Sequence, residues 1–122
     1  MHNLKIGKLG EQLAVDYLEK AGYRILQRNY RCRFGEIDII AKEGDTIVFV
    51  EVKSRRSDNY GAPQFAVGIE KQRRISKISL YYIQTNRLES FNARYDVVAV
   101  IMRSSNWHVE LFKDAFELAY DL

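Results

Sequence analysis

The sequence predicts an α/β domain in which a central mixed β-sheet is flanked by α-helices. Three observations carry this. Two stretches, about Ile6 to Ala21 and Ile69 to Thr85, repeat apolar residues at helical spacing. Five other stretches are rich in β-branched residues or alternate apolar with polar side chains. Their order, α, β, β, β, α, β, β, α, places a three-strand meander before a helical crossover, so both antiparallel and parallel pairs are expected.

In the first helix Ile6, Leu9, Leu13, Ala14, Tyr17, Leu18 and Ala21 form the apolar stripe, and Gly22 stands where a helix C-cap is expected. YRILQRNY follows as a short strand. Gly35 opens EIDIIAK, the second strand. Glu43-Gly44-Asp45 is a turn signal, and TIVFVEVKSR is the strongest strand in the chain, so the two strands read as an antiparallel hairpin. SDNYGAPQFAVG holds the only proline and reads as a loop. The second helix sets Ile75, Ile78, Tyr82 and Ile83 on one side. ARYDVVAVIM is the fourth strand, WHVELF pairs back on it as an edge strand, and KDAFELAYDL reads as a short amphipathic helix.

The chain has 122 residues, enough for one domain spanning 1–122. With 47% hydrophobic and 29% charged residues it belongs to the globular class. No uncharged run reaches the roughly 18 residues of a membrane span. The N-terminal stretch carries charge throughout and shows no signal-peptide core, so a cytoplasmic protein with no membrane partner is expected. The single cysteine, Cys32, excludes an internal disulfide and a zinc knuckle. The net charge is +3, but it is unevenly placed: between residues 20 and 77, thirteen Lys and Arg face seven Asp and Glu. Such a concentration is either a solvated face or the footprint of a polyanion.

The chemistry points to the two central strands. Asp38 stands in the otherwise apolar run Ile37-Asp38-Ile39-Ile40, where alternation sets it on one face with Glu36 and Ile40. In the next strand Glu51 and Lys53 share a face with Ile47 and Phe49, while Val48, Val50 and Val52 take the other. As hairpin neighbours, Asp38, Glu51 and Lys53 project together. Two carboxylates in an apolar setting repel each other unless a cation lies between them. Hard oxygen donors suit Mg²⁺ or Mn²⁺. A nearby lysine orients water or stabilises charge on a phosphate, and this set is the apparatus for phosphodiester hydrolysis. The plain alternative is a surface salt bridge from Lys53 to either acid.

The ordered set GKLGEQLAVDYLEKAGYRIL, NYRCRFGEIDIIA, VFVEVKSR, YGAP, Lys71 with its following RRI, and RYDVVAV covers nearly the whole chain. In this it resembles the PD-(D/E)xK nuclease superfamily, and more closely the YraN-like bacterial family, which is similar to archaeal Holliday junction resolvases. The resemblance implies a restriction-endonuclease-like fold with Asp38, Glu51 and Lys53 at a metal site, and the Val52 carbonyl as a further ligand. The nominal proline before the aspartate is absent, since the residues here are Glu36-Ile37-Asp38. Glu11 matches the first-helix glutamate that completes the metal site in resolvase-like proteins. Its helical position also suits an exposed carboxylate.

Lys71 falls on the apolar side of its helix, where it snorkels to the rim or reaches the site. Arg28, Arg31 and Arg33, interleaved with Tyr30 and Phe34, suit phosphate contacts and stacking on an unpaired base. With Arg55 and Lys71 they are the expected nucleic-acid contacts, and Tyr60 in the following loop would flank the substrate. Glu36 and Asp96 are candidates to support the metal ligands from outside, although a local pair with Arg94 also accounts for Asp96. The expected function is a Mg²⁺- or Mn²⁺-dependent DNA endonuclease, acting on branched or recombination intermediates. A domain that cuts both strands is often a twofold homodimer. The second reading is a non-catalytic or partner-dependent nucleic-acid-binding module of the same fold. A third, a small-molecule phosphohydrolase, has no Gly-rich phosphate loop behind it.

Overall fold

A computed structural model of the chain describes residues 2–56 and 68–116. Helix α1 (His2–Lys20) is followed by strands β1 (Arg24–Cys32), β2 (Gly35–Glu43) and β3 (Thr46–Arg56). Helix α2 (Ile69–Thr85) leads to β4 (Asn92–Arg103) and β5 (Asn106–Phe116). The strands form one sheet in sequence order, β1-β2-β3-β4-β5. The β1–β2, β2–β3 and β4–β5 pairs are antiparallel, and β3–β4 is parallel. Parallel neighbours need a crossover, which α2 supplies. The fold is therefore the mixed, helix-flanked α/β sheet that the sequence predicts.

The helices cover opposite faces. Ala14, Val15 and Leu18 of α1 pack on Val48, Val50, Val98 and Val100. Ile75, Ile78 and Tyr82 of α2 pack on Ile47, Phe49, Tyr95 and Val97. The central strands are thus buried on both sides, which is why Ile47–Val50 and Val97–Ile101 are unbroken apolar runs. At Gly10 a Cβ would come within 2.0 Å of the Ser54 Oγ, so this glycine lets α1 lie close on β3.

Gly35 has φ +140°, and a Cβ there would meet the Ile78 Cδ1 at 3.0 Å. Gly35→Ala is therefore expected to cost about 1–3 kcal/mol through backbone strain and its push on α2. Gly44 has φ +57° with nothing within 4 Å, so Gly44→Ala should cost less. Urea titration of the two variants checks this, and equal losses would show that contact with Ile78 adds nothing.

One expected element is corrected. Lys113–Phe116, read from sequence as the start of a helix, complete β5 instead. Val97 pairs with Phe112 and Tyr95 with Phe116, so Lys113, Asp114 and Ala115 together stand opposite Asp96, with Asp114 at φ 56°. This bulge brings the Phe116 ring to 4.4 Å from that of Tyr95, and the cross-strand aromatic pair outweighs the local helical pattern. Residues 117–122 and the YGAP loop with Tyr60 lie outside the described residues.

Candidate metal and nucleic-acid site

Asp38 owes its position to a break in the alternation of β2. Ile37 and Ile40 pack with the α2 cluster, whereas Ile39 and Ala41 pack with the α1 cluster. Opposite, on β1, Arg28 meets Glu11 of α1 while Tyr30 packs edge-on against Tyr82 of α2. Both strands change face at Asn29 and Asp38, and Asn29 has φ 53°, a conformation that asparagine tolerates better than most residues. Strict alternation from Glu36 to Ile40 does not describe this segment. The regular β2–β3 pairing runs from Glu43↔Thr46 to Ile39↔Val50, and beyond it the Val52 N–H donates to the Asp38 Oδ2 at 2.8 Å. The side chain thus takes over where the backbone ladder ends.

Glu51 lies on the α2 side of β3, continuing the row of Ile47 and Phe49. Lys71, in the first turn of α2, donates to its Oε1, and the buried Tyr95 hydroxyl donates to its Oε2. Lys53 lies 3.2 Å from the same Oε1. Burial alone would raise the Glu51 pKa, but the hydrogen bonds from Lys71 and Tyr95 outweigh it, and the net shift is downward. Burial, then the bond to Glu51, push the Tyr95 hydroxyl upward, so it remains a donor. Asp38 goes the other way: burial raises its pKa, the Val52 N–H opposes, and Glu51, Glu11 and Glu36 add to the rise. One carboxylate is held ionised beside another that resists ionisation.

A cavity of about 130 Å³ is lined by Glu36, Asp38, Glu51, Lys71, Arg74 and Tyr95, among others. The structure thus brings Asp38, Glu51 and Lys71 into one pocket, with Lys53 beside Glu51. Glu11 is not gathered into a three-acid cluster, and no group of three Asp, Glu, His or Cys suited to a metal occurs among the described residues. Its Oε1 accepts from Arg28 and from the Asn29 Nδ2, yet its charge reaches Asp38. Arg28 is thereby paired, and Arg31 pairs with Glu36 at 3.0 Å, so both charges are offset locally. Arg33 lies over the Phe34 ring, and Arg55 is exposed near the end of β3. Asp96 does not support this pocket. It lies on the α1 face of the sheet, bonded to Arg94 and Tyr23, so the local pair is its role. Tyr95 was not among the residues singled out from sequence. Its signal was available, since it precedes an apolar run by two residues on the face opposite Asp96.

The strain on Asp38 has a measurable sign. A carboxyl whose folded-state pKa is raised supports the fold fully below its unfolded value, and that support is lost as pH rises through the folded value. Asp38→Asn is neutral at every pH and still offers the Val52 N–H an oxygen. With chelator present, it should raise Tm by a few degrees at pH 7, and the gain should vanish below pH of about 3.9. An unchanged Tm at pH 7 would contradict the repulsion.

Residues 10–100 match the model of the uncharacterised protein family UPF0102. A UPF0102 protein of Syntrophus aciditrophicus is 73% identical over 118 residues, covering 97% of this chain and 93% of the relative. One from Geobacter metallireducens is 51% identical over 120 residues, covering 98% of each chain. One from Caldicellulosiruptor saccharolyticus is 47% identical over 118 residues, covering 95% of this chain and all of the relative. Matches of this extent include both central strands and the pocket they build: the chain belongs to the UPF0102 family.

Proposed function

We propose that the protein is a metal-dependent DNA endonuclease of the PD-(D/E)xK type, acting on branched or recombination intermediates. The observation that carries this reading is the convergence of Asp38 and Glu51 in one polar pocket with two lysines at hand. The donor set fits a hard divalent cation: the lining holds the carboxylates of Asp38, Glu51 and Glu36, the last paired with Arg31, and no thiolate or imidazole. Asp38 and Glu51, with the Val52 carbonyl that the family resemblance adds, would hold Mg²⁺ or Mn²⁺. When bound, such a metal activates water and offsets charge on the phosphate.

The chain's own groups then have distinct tasks. Tyr95 and Lys71 keep Glu51 ionised and fixed. Lys53, more exposed than Glu51, stands where it can neutralise a phosphate oxygen as charge develops. Arg74 adds a cation to the wall without an ion pair among the described residues. No described helix is long and apolar enough to cross a membrane.

The second reading, a binding module that does no chemistry, draws on one observation: Lys53 and Lys71 already balance Glu51 without a metal. A cleavage assay decides between them, with Mg²⁺ or Mn²⁺ on single-stranded, duplex, flap and four-way-junction DNA. The endonuclease cuts at least one substrate and Asp38→Ala cuts none. Wild-type protein that binds DNA but neither binds metal nor cuts any of the four would establish the binding module.

A further inference from the structure

A second cavity, of about 170 Å³, opens between the β1–β2 turn and the outer side of α2. Arg33, Phe34, Lys77, Leu80, Tyr81 and Gln84 line it. The Phe34 and Tyr81 rings meet edge to face, with centroids 5.9 Å apart. The Arg33 guanidinium lies 4.8 Å from the Phe34 centroid and 6.0 Å from that of Tyr81. Tyr81 is 37% exposed, a large ring left partly in water. No carboxylate lines the cavity, and neither Arg33 nor Lys77 makes an ion pair among the described residues.

We propose that this cavity is a subsite that stacks one unpaired base of a DNA strand whose phosphate lies in the Asp38–Glu51 pocket. The proposal rests on the nuclease reading above. An aromatic and guanidinium wall accepts the π-face of any base, and the lysine suits its phosphate. The Gln84 amide offers both a donor and an acceptor to a base edge. A base inside a duplex has both faces stacked, so the ligand is an unpaired nucleotide. Arg74 lines the first cavity and packs beside Gly35, the residue after Phe34 of the second. Arg74 and Tyr81 are seven residues apart on α2, about 10 Å along its axis.

The test uses the 122-residue chain in chelator with branched DNA whose single-stranded arm carries 2-aminopurine at successive positions from a phosphorothioate-protected junction. Wild type should quench the probe at one position, and Tyr81→Ala should abolish that quenching and weaken binding roughly fivefold or more. Tyr81→Phe should restore both, which a merely structural role for the hydroxyl would not. Circular dichroism confirms that each variant is folded, and Lys77→Ala should weaken affinity while keeping the quenched position. DNA binding with no position quenched, or quenching that survives Tyr81→Ala, overturns the subsite and leaves the nuclease reading standing. Protein that binds no DNA either in chelator or with Mg²⁺ overturns both.

Discussion

Asp38→Asn and Glu51→Gln should each lower metal-dependent cleavage by on the order of a hundredfold or more, while DNA affinity holds or rises. The two lose activity for related but distinguishable reasons. Asp38→Asn keeps the acceptor for the Val52 N–H, so the β2–β3 junction stays in place while one anionic donor is gone. A negative charge facing the phosphates has also been removed, which favours DNA. Glu51→Gln leaves Lys53 and Lys71 facing each other without the carboxylate between them, so it should lower Tm where Asp38→Asn raises it. Opposite stability changes with the same loss of activity would mark a metal-binding pair.

Lys53→Ala separates the remaining steps. Metal affinity by calorimetry should survive, because the acids are intact, while cleavage falls for want of a cation at the phosphate. Tyr95→Phe removes only the hydroxyl that orients Glu51, and a loss of roughly ten- to a hundredfold is expected of such an outer partner. If Asp38→Asn and Glu51→Gln cut as well as wild type, the activity belongs elsewhere.

How far the sequence could carry these assignments depended on how local each signal was. Helix α2 was legible to the residue, because Ile75, Ile78, Tyr82 and Ile83 leave only one buried side. The division of β3 into Glu51 and Lys53 on one face and the valines on the other needed nothing beyond alternation. Asp38 was legible as a residue out of place, but not in its mechanism. The change of face at Asn29 and Asp38 depends on a left-handed backbone that no period-two reading contains. Partners across strands were hidden for a different reason. Tyr95 reaches Glu51 because parallel pairing sets Phe49 beside Tyr95 and Glu51 beside Val97, a register fixed only by the crossover. The β5 bulge, and with it the strand character of Lys113–Phe116, depends on Asp96 and Tyr95, far away in the chain.

Asp96→Ala should be the most destabilising single change in the described residues outside the apolar core, costing about 3–5 kcal/mol. Its carboxylate is fully buried and accepts four hydrogen bonds. The Arg94 Nε and Nη2 donate at 2.8 and 3.0 Å, the Tyr23 hydroxyl at 3.1 Å and the Asp114 backbone N–H at 2.9 Å. Removing it leaves the Asp114 N–H of the β5 bulge without its acceptor and Arg94 with Glu43 as its remaining carboxylate partner. Glu43 also holds Lys113, at 3.1 Å, so the network ties β2, β4 and β5 together on the α1 face. The hydrogen bond from Arg94 is the main reason that the Glu43 pKa is lowered. A lowered folded-state value means support that is present at neutral pH and lost as pH falls through it, so the wild type should weaken in acid partly through this residue. Against a typical domain stability of 5–15 kcal/mol, the Asp96 loss is large enough to leave a substantial unfolded fraction near physiological temperature. Urea unfolding followed by circular dichroism measures it. Because this network faces away from the Asp38–Glu51 pocket, the proposed endonuclease carrying Asp96→Ala, still folded in the cold, should keep whatever Mg²⁺ binding and DNA cleavage the unaltered chain shows. Loss of cleavage without loss of stability would instead tie Asp96 to the chemistry across the sheet.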